Sequence, residues 1–166
     1  MSLKTRTFAS RALLFVATLV VTSLVAITLL EAKRVFHGDR PSRVMEGIVD
    51  ISSENYYDVV GNDQFVLLEF YSDGCSFCRD FASVYEELGK YALIRPELQE
   101  KLVVGKVDSP SETRIQRRYK IKGYPTVVLV PPNRHAGVHF TGKRDFNELL
   151  AFVQREMEKK EYAIAD

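Results

Sequence analysis

The sequence predicts an α/β domain that follows a single apolar N-terminal helix. Two observations lead to this class. From Val44 onward, short apolar runs with the composition of strands alternate with segments whose apolar residues recur at helical spacing. Before them, residues 12–30 form an uncharged stretch of roughly the length that a helix needs to cross a bilayer. About 120 residues remain beyond this stretch and a short polar linker, enough for one domain with its own core.

Strands and helices alternate along the predicted domain. The strands are expected at residues 44–51, 64–71, 102–107 and 126–130, the last paired as a hairpin with 137–141. The helices are expected from a cap at residue 52 or 53 through Val60, from Cys75 to a point before Pro96, at 111–119, and from Phe146 onward. Either Ser52 or Ser53 can cap the first helix.

Two helices show a stripe of apolar residues at helical spacing, which indicates the side that packs into the core. The residues of the stripes are Phe77, Phe81, Val84, Leu88 and Tyr91 in the helix that starts at Cys75, and Phe146, Leu149, Leu150 and Val153 in the last helix. The strand at 64–71 is apolar and aromatic apart from its first residue and Glu69, so it is predicted to be the central one.

Cys75 and Cys78 are the two cysteines of the chain, and they follow the predicted central strand directly. Two thiols in this spacing at a junction of strand and helix make a redox pair. In the first turn of a helix, backbone N–H groups and the positive end of the macrodipole stabilise a thiolate, so Cys75 is predicted to be the attacking sulfur. Cys78, about one turn further on, is predicted to displace the resulting mixed disulfide.

Three other interpretations of the cysteines are weaker. A structural zinc site usually needs four ligands, and the chain offers only three histidines besides, so no metal is predicted. A structural disulfide that closes so short a loop removes little entropy from the unfolded chain. The cysteines could also be unrelated buried residues, but the neighbouring sequence argues against this.

Residues 69–79 are Glu-Phe-Tyr-Ser-Asp-Gly-Cys-Ser-Phe-Cys-Arg, residues 81–88 are Phe-Ala-Ser-Val-Tyr-Glu-Glu-Leu, and residues 123–126 are Gly-Tyr-Pro-Thr. From about residue 44 to 156 these features resemble the thioredoxin superfamily, and within it the protein disulfide isomerase type of domain. The first segment is similar to the family's Glu-Phe-Tyr-Ala-Pro-Trp-Cys-Gly-His-Cys-Lys, and the last to its cis-proline loop. The resemblance implies a thioredoxin fold, with a central mixed β-sheet flanked by helices, over residues 44–166.

Glu69 and Lys106 are candidates for a proton relay. Glu69 is a carboxylate inside an apolar strand, and burial is expected to raise its pKa. The resemblance places it at the family's buried acid, which takes a proton from the resolving cysteine, here Cys78, and places Lys106 at the lysine near that acid. An ordinary, partly buried ion pair between the two is the alternative.

Tyr124 and Pro125 come immediately before a predicted strand, where a proline often marks a tight turn. The resemblance implies a cis bond here, with the loop packed against the cysteine pair. It also implies that the backbone near Tyr124 hydrogen-bonds an extended client, as in strand addition. Phe77, between the cysteines, is predicted to contact clients as well. A turn proline without a function is the alternative.

The chain departs from the family in ways that bear on mechanism. Ser76 and Phe77 replace Gly-His, so no imidazolium stabilises the Cys75 thiolate, and the pair is expected to be less oxidising than a typical isomerase. Arg79 opposes this trend by favouring a thiolate. Lys122 stands where many isomerase domains have an arginine that lowers the pKa of the second cysteine; a solvated surface charge is the alternative interpretation.

Residues 1–43 are predicted to be a cytosolic tail, a signal anchor at about 12–30 and a linker. The apolar stretch is longer than the core of a cleaved signal peptide, and the small-residue cleavage site near Ala32 is poor, so an uncleaved anchor is favoured over a cleaved leader. Basic residues flank both ends, so the positive-inside rule gives little orientation. Disulfide chemistry instead favours a domain in the lumen of the endoplasmic reticulum or another secretory compartment.

The predicted function is that of a membrane-anchored thiol–disulfide oxidoreductase, of isomerase or reductase type, acting on protein thiols and disulfides. The alternatives are a membrane-tethered client-binding or chaperone module with little redox turnover, and a cleaved, soluble reductase. No metal or organic cofactor is predicted, because the cysteine pair itself holds the redox equivalents. A net charge of +1 gives no reason to expect nucleic-acid binding. The redox partner and the net direction of electron flow are left open.

Overall fold

The structure is a computed structural model that describes residues 44–162. Five strands form one sheet in the order β1-β3-β2-β4-β5. The strands are β1 (Val49–Asp50), β2 (Phe65–Tyr71), β3 (Leu102–Asp108), β4 (Thr126–Val130) and β5 (Val138–His139). β3 is parallel to β1 and β2, whereas β4 is antiparallel to β2 and to β5. The mixed sheet and the terminal hairpin are therefore as predicted.

Within residues 44–162, five α-helices accompany the sheet. They are α1 (Tyr56–Val59), α2 (Ser76–Leu93), α3 (Pro96–Gln99), α4 (Thr113–Arg118) and α5 (Phe146–Met157), followed by a short 3-10 helix at Lys160–Tyr162. α3 was not expected from the sequence. Proline fits the first position of a helix, where no N–H is needed, so Pro96 both follows the end of α2 and starts α3.

β2 is buried along its whole length and separates two parts of the core. Successive side chains of a strand point to opposite faces of the sheet. On one face, Leu67 packs in a cluster with Tyr85 of α2, and on the other Leu68 packs in a cluster with Ile115 of α4. We call these the α2 face and the α4 face. The buried stripe predicted for α2 is correct at Phe81 and Leu88 but not at Phe77, which is exposed.

β1 is shorter than predicted, because only Val49 and Asp50 of residues 44–51 pair with β3. Gly47 has a φ of +76°, a conformation that L side chains rarely adopt. A Cβ atom at this position would lie 2.5 Å from the backbone of Gly89 in α2. The chain therefore turns where it crosses α2, and the strand can begin only beyond the turn.

α1 also begins later than predicted, and neither candidate serine caps it. Asn55 precedes its first residue. Ser52 Oγ instead accepts a hydrogen bond from the Glu54 N–H at 3.3 Å, and the Ser53 hydroxyl donates to the Glu112 carboxylate. Residues 53–55 form turns, which leaves α1 with a single turn of helix.

The remaining predicted boundaries agree with the structure to within two residues, except that β5 pairs over Val138–His139 alone. None of the helices within residues 44–162 is long and apolar enough to cross a membrane. The anchor predicted at residues 12–30 lies outside the described residues.

Candidate functional site

The cysteine pair lies where β2 ends and α2 begins. Cys75 and Cys78 are joined as a disulfide, with their Cα atoms 5.2 Å apart. Cys75 is the N-cap of α2, and its Sγ accepts a hydrogen bond from the Cys78 N–H at 3.1 Å. After reduction, this N–H and the positive end of the helix macrodipole both stabilise a negative charge on Cys75 Sγ.

The two cysteines differ in exposure. Cys78 is only 5% exposed, whereas Cys75 is half-buried. Phe77 lies between them with 67% of its surface exposed. A disulfide on another protein can therefore approach Cys75 but not Cys78. This asymmetry matches the roles expected for an attacking and a resolving sulfur.

The loop before β4 packs against the pair, as predicted. The bond between Tyr124 and Pro125 is cis. The Tyr124 carbonyl oxygen is 3.6 Å from Cys75 Sγ, so the thiol of the reduced protein can donate a hydrogen bond to it. Thr126 Oγ1 donates to the Gly123 carbonyl at 2.7 Å and closes the turn. The loop thus holds backbone polar groups beside the more exposed sulfur.

Glu69 and Lys106 lie next to each other on the α2 face. They are opposite residues in the register of β2 and β3, and each is 2% exposed. Tyr85 of α2 donates hydrogen bonds to the Leu67 and Gly105 carbonyls. Burial, and after it the charge of Glu69, holds the pKa of Tyr85 well above its ordinary value. The Glu69 carboxylate therefore lies under the helix whose first turn contains Cys78.

Lys106 also contacts an acidic residue that the sequence did not single out. Asp50 Oδ1 lies 3.0 Å from Lys106 Nζ, and the two residues are opposite each other in the register of β1 and β3. Lys106 Nζ is 5.3 Å from the centre of the Tyr71 ring. Asp50 is 53% exposed, so this buried lysine contacts a carboxylate that reaches solvent.

Arg79 and Lys122, the two basic residues predicted to modulate the pair, are both exposed. Arg79 donates a hydrogen bond to the Asp73 carbonyl at 3.4 Å, so its guanidinium is directed at the loop before the cysteines. Lys122 immediately precedes the cis-proline loop in the chain. Within residues 44–162 no group of three or more His, Cys, Asp or Glu side chains could hold a metal ion.

Arg144 is a second residue that sequence reasoning missed. It donates a hydrogen bond to the Pro125 carbonyl at 3.2 Å, which ties the loop before α5 to the cis-proline loop. Together with Lys143, Phe140 and Thr126 it lines a cavity of about 440 Å³ beside Pro125. Nothing in the local sequence indicates this contact, because the two residues are nineteen positions apart.

A mixed sheet of this order, with a CxxC pair starting the helix after its central strand and a cis-proline loop beside it, defines a dithiol protein of thioredoxin fold. Residues 47–155 match the thioredoxin family model, so the chain belongs to the thioredoxin family. The resemblance stated from the sequence is thereby confirmed.

Relatives of this chain include protein disulfide-isomerases. One from Schizosaccharomyces pombe is 32% identical over 112 residues, which cover 66% of this chain and 30% of that protein. Protein disulfide-isomerase A4 of Bos taurus is 32% identical over 108 residues, which cover 65% of this chain and 16% of that protein. The chain thus spans less than a third of either relative.

The solved structures include a single domain of similar size. The first thioredoxin domain of mouse protein disulfide-isomerase A4 is 27% identical, with a TM-score of 0.61. The match covers 77% of this chain and 89% of that domain.

Proposed function

We propose that this chain is a thiol–disulfide oxidoreductase of protein disulfide isomerase type, which acts on client proteins through Cys75 and Cys78. One observation supports this above the rest. Cys75 Sγ is at once the N-cap of an 18-residue helix and within 3.6 Å of the Tyr124 carbonyl in the cis-proline loop. The attacking sulfur and a backbone edge that can bind an extended chain are therefore in contact.

Reduction of a client begins with the dithiol form. The Cys75 thiolate attacks one sulfur of the client disulfide, and the other client sulfur leaves as a thiolate and takes up a proton. The client is now attached to Cys75 through a mixed disulfide. The Tyr124 backbone holds the client strand next to this bond, and the exposed Phe77 ring packs against client side chains.

The second step releases the client. The Cys78 thiol gives its proton to Glu69, directly or through a water, and its sulfur attacks Cys75 Sγ. The second client sulfur leaves as a thiolate and is protonated. The client has gained two electrons, and the protein has returned to the Cys75–Cys78 disulfide that the structure contains. Oxidation of a client is the same sequence in reverse.

Lys106 lies beside Glu69 and stabilises its ionised form, which is the form that accepts a proton. Arg79 and Lys122 add positive charge near the pair and favour its thiolate states. Arg144 keeps the cis-proline loop in place through the Pro125 carbonyl.

A trapping experiment on the full chain tests the roles of the cysteines. The Cys78→Ser variant, incubated with oxidised insulin, should accumulate a mixed disulfide, because the resolving sulfur is absent. The Cys75→Ser variant is the matched control and should form little adduct, since Cys78 is buried. The adducts are measured by mass spectrometry under non-reducing conditions. Equal adducts in both variants, or none in either, would contradict the proposal.

The domain organisation is part of the proposal. Residues 1–43 supply a single-pass anchor, and residues 44–166 form the thioredoxin domain in the lumen of the endoplasmic reticulum or another secretory compartment. The apolar stretch at 12–30 supports the anchor, and disulfide exchange supports an oxidising compartment. We expect the full chain to stay in the membrane fraction during alkaline carbonate extraction, and mass spectrometry to find its N-terminus uncleaved. Release into the soluble fraction would favour the cleaved reductase.

A second candidate function is a client-binding module with little turnover. The exposure of Phe77, at 67%, favours it, because a large apolar side chain in water suits the capture of unfolded chains. The double variant Cys75→Ser with Cys78→Ser separates the two functions. If the double variant binds reduced, carboxymethylated lactalbumin as well as the wild type does, and the wild type shows no insulin reduction, the module is preferred.

A further inference from the structure

Asp50, Lys106 and Glu69 form a row of alternating charge across the sheet. β1, β3 and β2 are adjacent parallel strands, with Asp50 opposite Lys106 and Lys106 opposite Glu69. Side chains at paired positions point to the same face, and neighbouring strands lie about 4.8 Å apart. The row therefore runs from the edge of the sheet to the buried carboxylate under α2.

Exposure falls along this row. Asp50 is 53% exposed, whereas Lys106 and Glu69 are each 2% exposed. A buried ammonium must be compensated by opposite charge, and the Lys106 ammonium contacts Asp50 Oδ1 at 3.0 Å while it lies beside Glu69 in register. The position of the Lys106 ammonium between the Asp50 and Glu69 carboxylates sets how strongly it stabilises ionised Glu69.

We propose that Asp50 is a positioning residue for the proton transfer from Cys78 to Glu69. The proposal rests on the function proposed above. Asp50 holds the Lys106 ammonium towards the edge of the sheet, so the ammonium stabilises ionised Glu69 less strongly. Glu69 is thereby a stronger base. Glu69 therefore takes the Cys78 proton more readily when the Cys78 sulfur attacks Cys75.

Other ionisable groups also lie on this face of the sheet or on α2, which packs against it. They are Tyr71 on β2, Asp108 on β3, and Tyr85 and Cys78 on α2, whereas β4 presents Val127 opposite Glu69. Tyr85 donates to two backbone carbonyls, and Asp108 accepts a hydrogen bond from Ser111 Oγ at 2.7 Å. Asp50 is the acid of this row that contacts Lys106 and takes no direct part in the proposed proton transfer.

Titration of the Glu69 carboxyl carbon by NMR tests the proposal in the reduced full chain. Loss of the resonance in Glu69→Gln assigns it. In Asp50→Asn the midpoint of the Glu69 titration should fall by roughly 0.5 to 1 pH unit, because the lysine charge then acts on Glu69 alone. The acidic limb of insulin reduction should move to lower pH by the same amount, since Glu69 must be ionised to accept a proton.

Two variants serve as controls. Asp50→Glu restores the charge and should return the midpoint towards the wild-type value. Glu46→Gln removes an acid from a surface pair, 3.7 Å from Lys90, and should leave the midpoint unchanged. An unchanged midpoint in Asp50→Asn, or an equal shift in Glu46→Gln, would overturn the proposal.

The Lys106→Met variant tests whether Asp50 acts through the lysine. In this background, Asp50→Asn should shift the Glu69 midpoint by much less than it does in the wild type. A shift of equal size would mean that Asp50 acts by its own charge alone, which overturns the positioning role. The midpoint is measured without turnover, so a chain that does not reduce insulin still decides this question, and the two proposals fail separately.

Discussion

The two faces of the central sheet bury polar groups of different kinds. On the α2 face, under the helix of the cysteine pair, Glu69 and Lys106 are ionisable groups that are almost fully buried. On the α4 face, the hydroxyls of Tyr56 and Tyr119 form a buried hydrogen bond of 2.7 Å. Burial, then the hydrogen bond to Tyr56, raises the pKa of Tyr119 far above its ordinary value, so this contact is neutral at physiological pH.

The hydroxyl pair and the buried charges differ in what their burial costs, and so in the reason for burying them. A hydroxyl pair satisfies its own hydrogen bonds and costs little to bury, whereas a buried carboxylate and ammonium must overcome a large desolvation penalty. Apolar residues of similar volume would often stabilise a core as well or better. The charges on the α2 face lie where the proposed mechanism moves a proton, which gives a reason for keeping them.

The largest expected effect is on stability, from truncating the apolar core of the α4 face. Leu68 is fully buried in β2 with its side chain on that face. Leu68→Ala should lower the free energy of unfolding by about 3 kcal/mol, through lost burial and the cavity left behind. Urea denaturation measures this loss.

The redox potential of the folded Leu68→Ala variant should match that of the wild type, because no charge near the cysteines changes. A shift of about 30 mV or more, which corresponds to roughly 1.4 kcal/mol, would show that the α4 face also tunes the pair.

The next effect is on activity, from the α2 face. Glu69→Gln keeps the shape of the side chain and removes the base that we propose accepts the Cys78 proton. Insulin reduction should slow by up to about 100-fold, the lower end of what a positioned base contributes. The loss should lie in the resolving step, so rapid-quench sampling should find more mixed disulfide on Cys75. A variant that turns over at the wild-type rate would contradict a role for Glu69 in proton transfer.

The smallest expected effect comes from the hydroxyl pair. Tyr119→Phe leaves the Tyr56 hydroxyl without its partner and should cost about 1 kcal/mol of stability, with insulin reduction unchanged. Burial raises the pKa of Tyr56 and Tyr119 above the ordinary value of about 10. A group with a raised pKa in the folded state stabilises the protein fully below its unfolded pKa and loses this contribution as the pH rises.

The wild type should therefore lose stability as the pH rises above about 10, and Tyr119→Phe should lose it less steeply. Urea denaturation at a series of pH values measures how steeply the stability of each protein falls with pH. The series runs from about pH 8 to about pH 11, which brackets the ordinary tyrosine pKa of about 10. Parallel slopes would show that the hydroxyl pair does not hold its protons more tightly in the folded state.

The sequence predicted the parts of the site that depend on local patterns. The CxxC pair, the apolar β2 that precedes it and the helix that follows are encoded within one stretch, 65–93, and the loop at Tyr124 and Pro125 has its own short motif. Asp50 and Arg144 were missed because their contacts depend on which distant segments the fold brings together. An acid in a two-residue edge strand looks like any surface charge until the register of β1 and β3 is known.

The short β1 has a similar cause. Residues 44–51 have the composition of a strand, but the close approach of Gly47 to Gly89 forces a turn that only the packed structure contains.

Phe77 is the opposite case, because a local pattern predicted a buried side chain that is exposed in the structure. Its spacing fits the buried stripe of α2, yet it is 67% exposed in a first turn whose buried residue is Cys78.

Equilibration of the full chain in glutathione buffers of graded potential is the most direct test of the central claim, that Cys75 and Cys78 cycle as a redox pair without an imidazolium between them. The fraction of disulfide is measured by alkylation and mass spectrometry. We expect a reversible two-electron transition between about −200 and −270 mV, more reducing than the roughly −180 mV of protein disulfide isomerase. A potential of about −180 mV or higher would contradict the role given to the missing histidine, and a pair that does not cycle would contradict the claim itself.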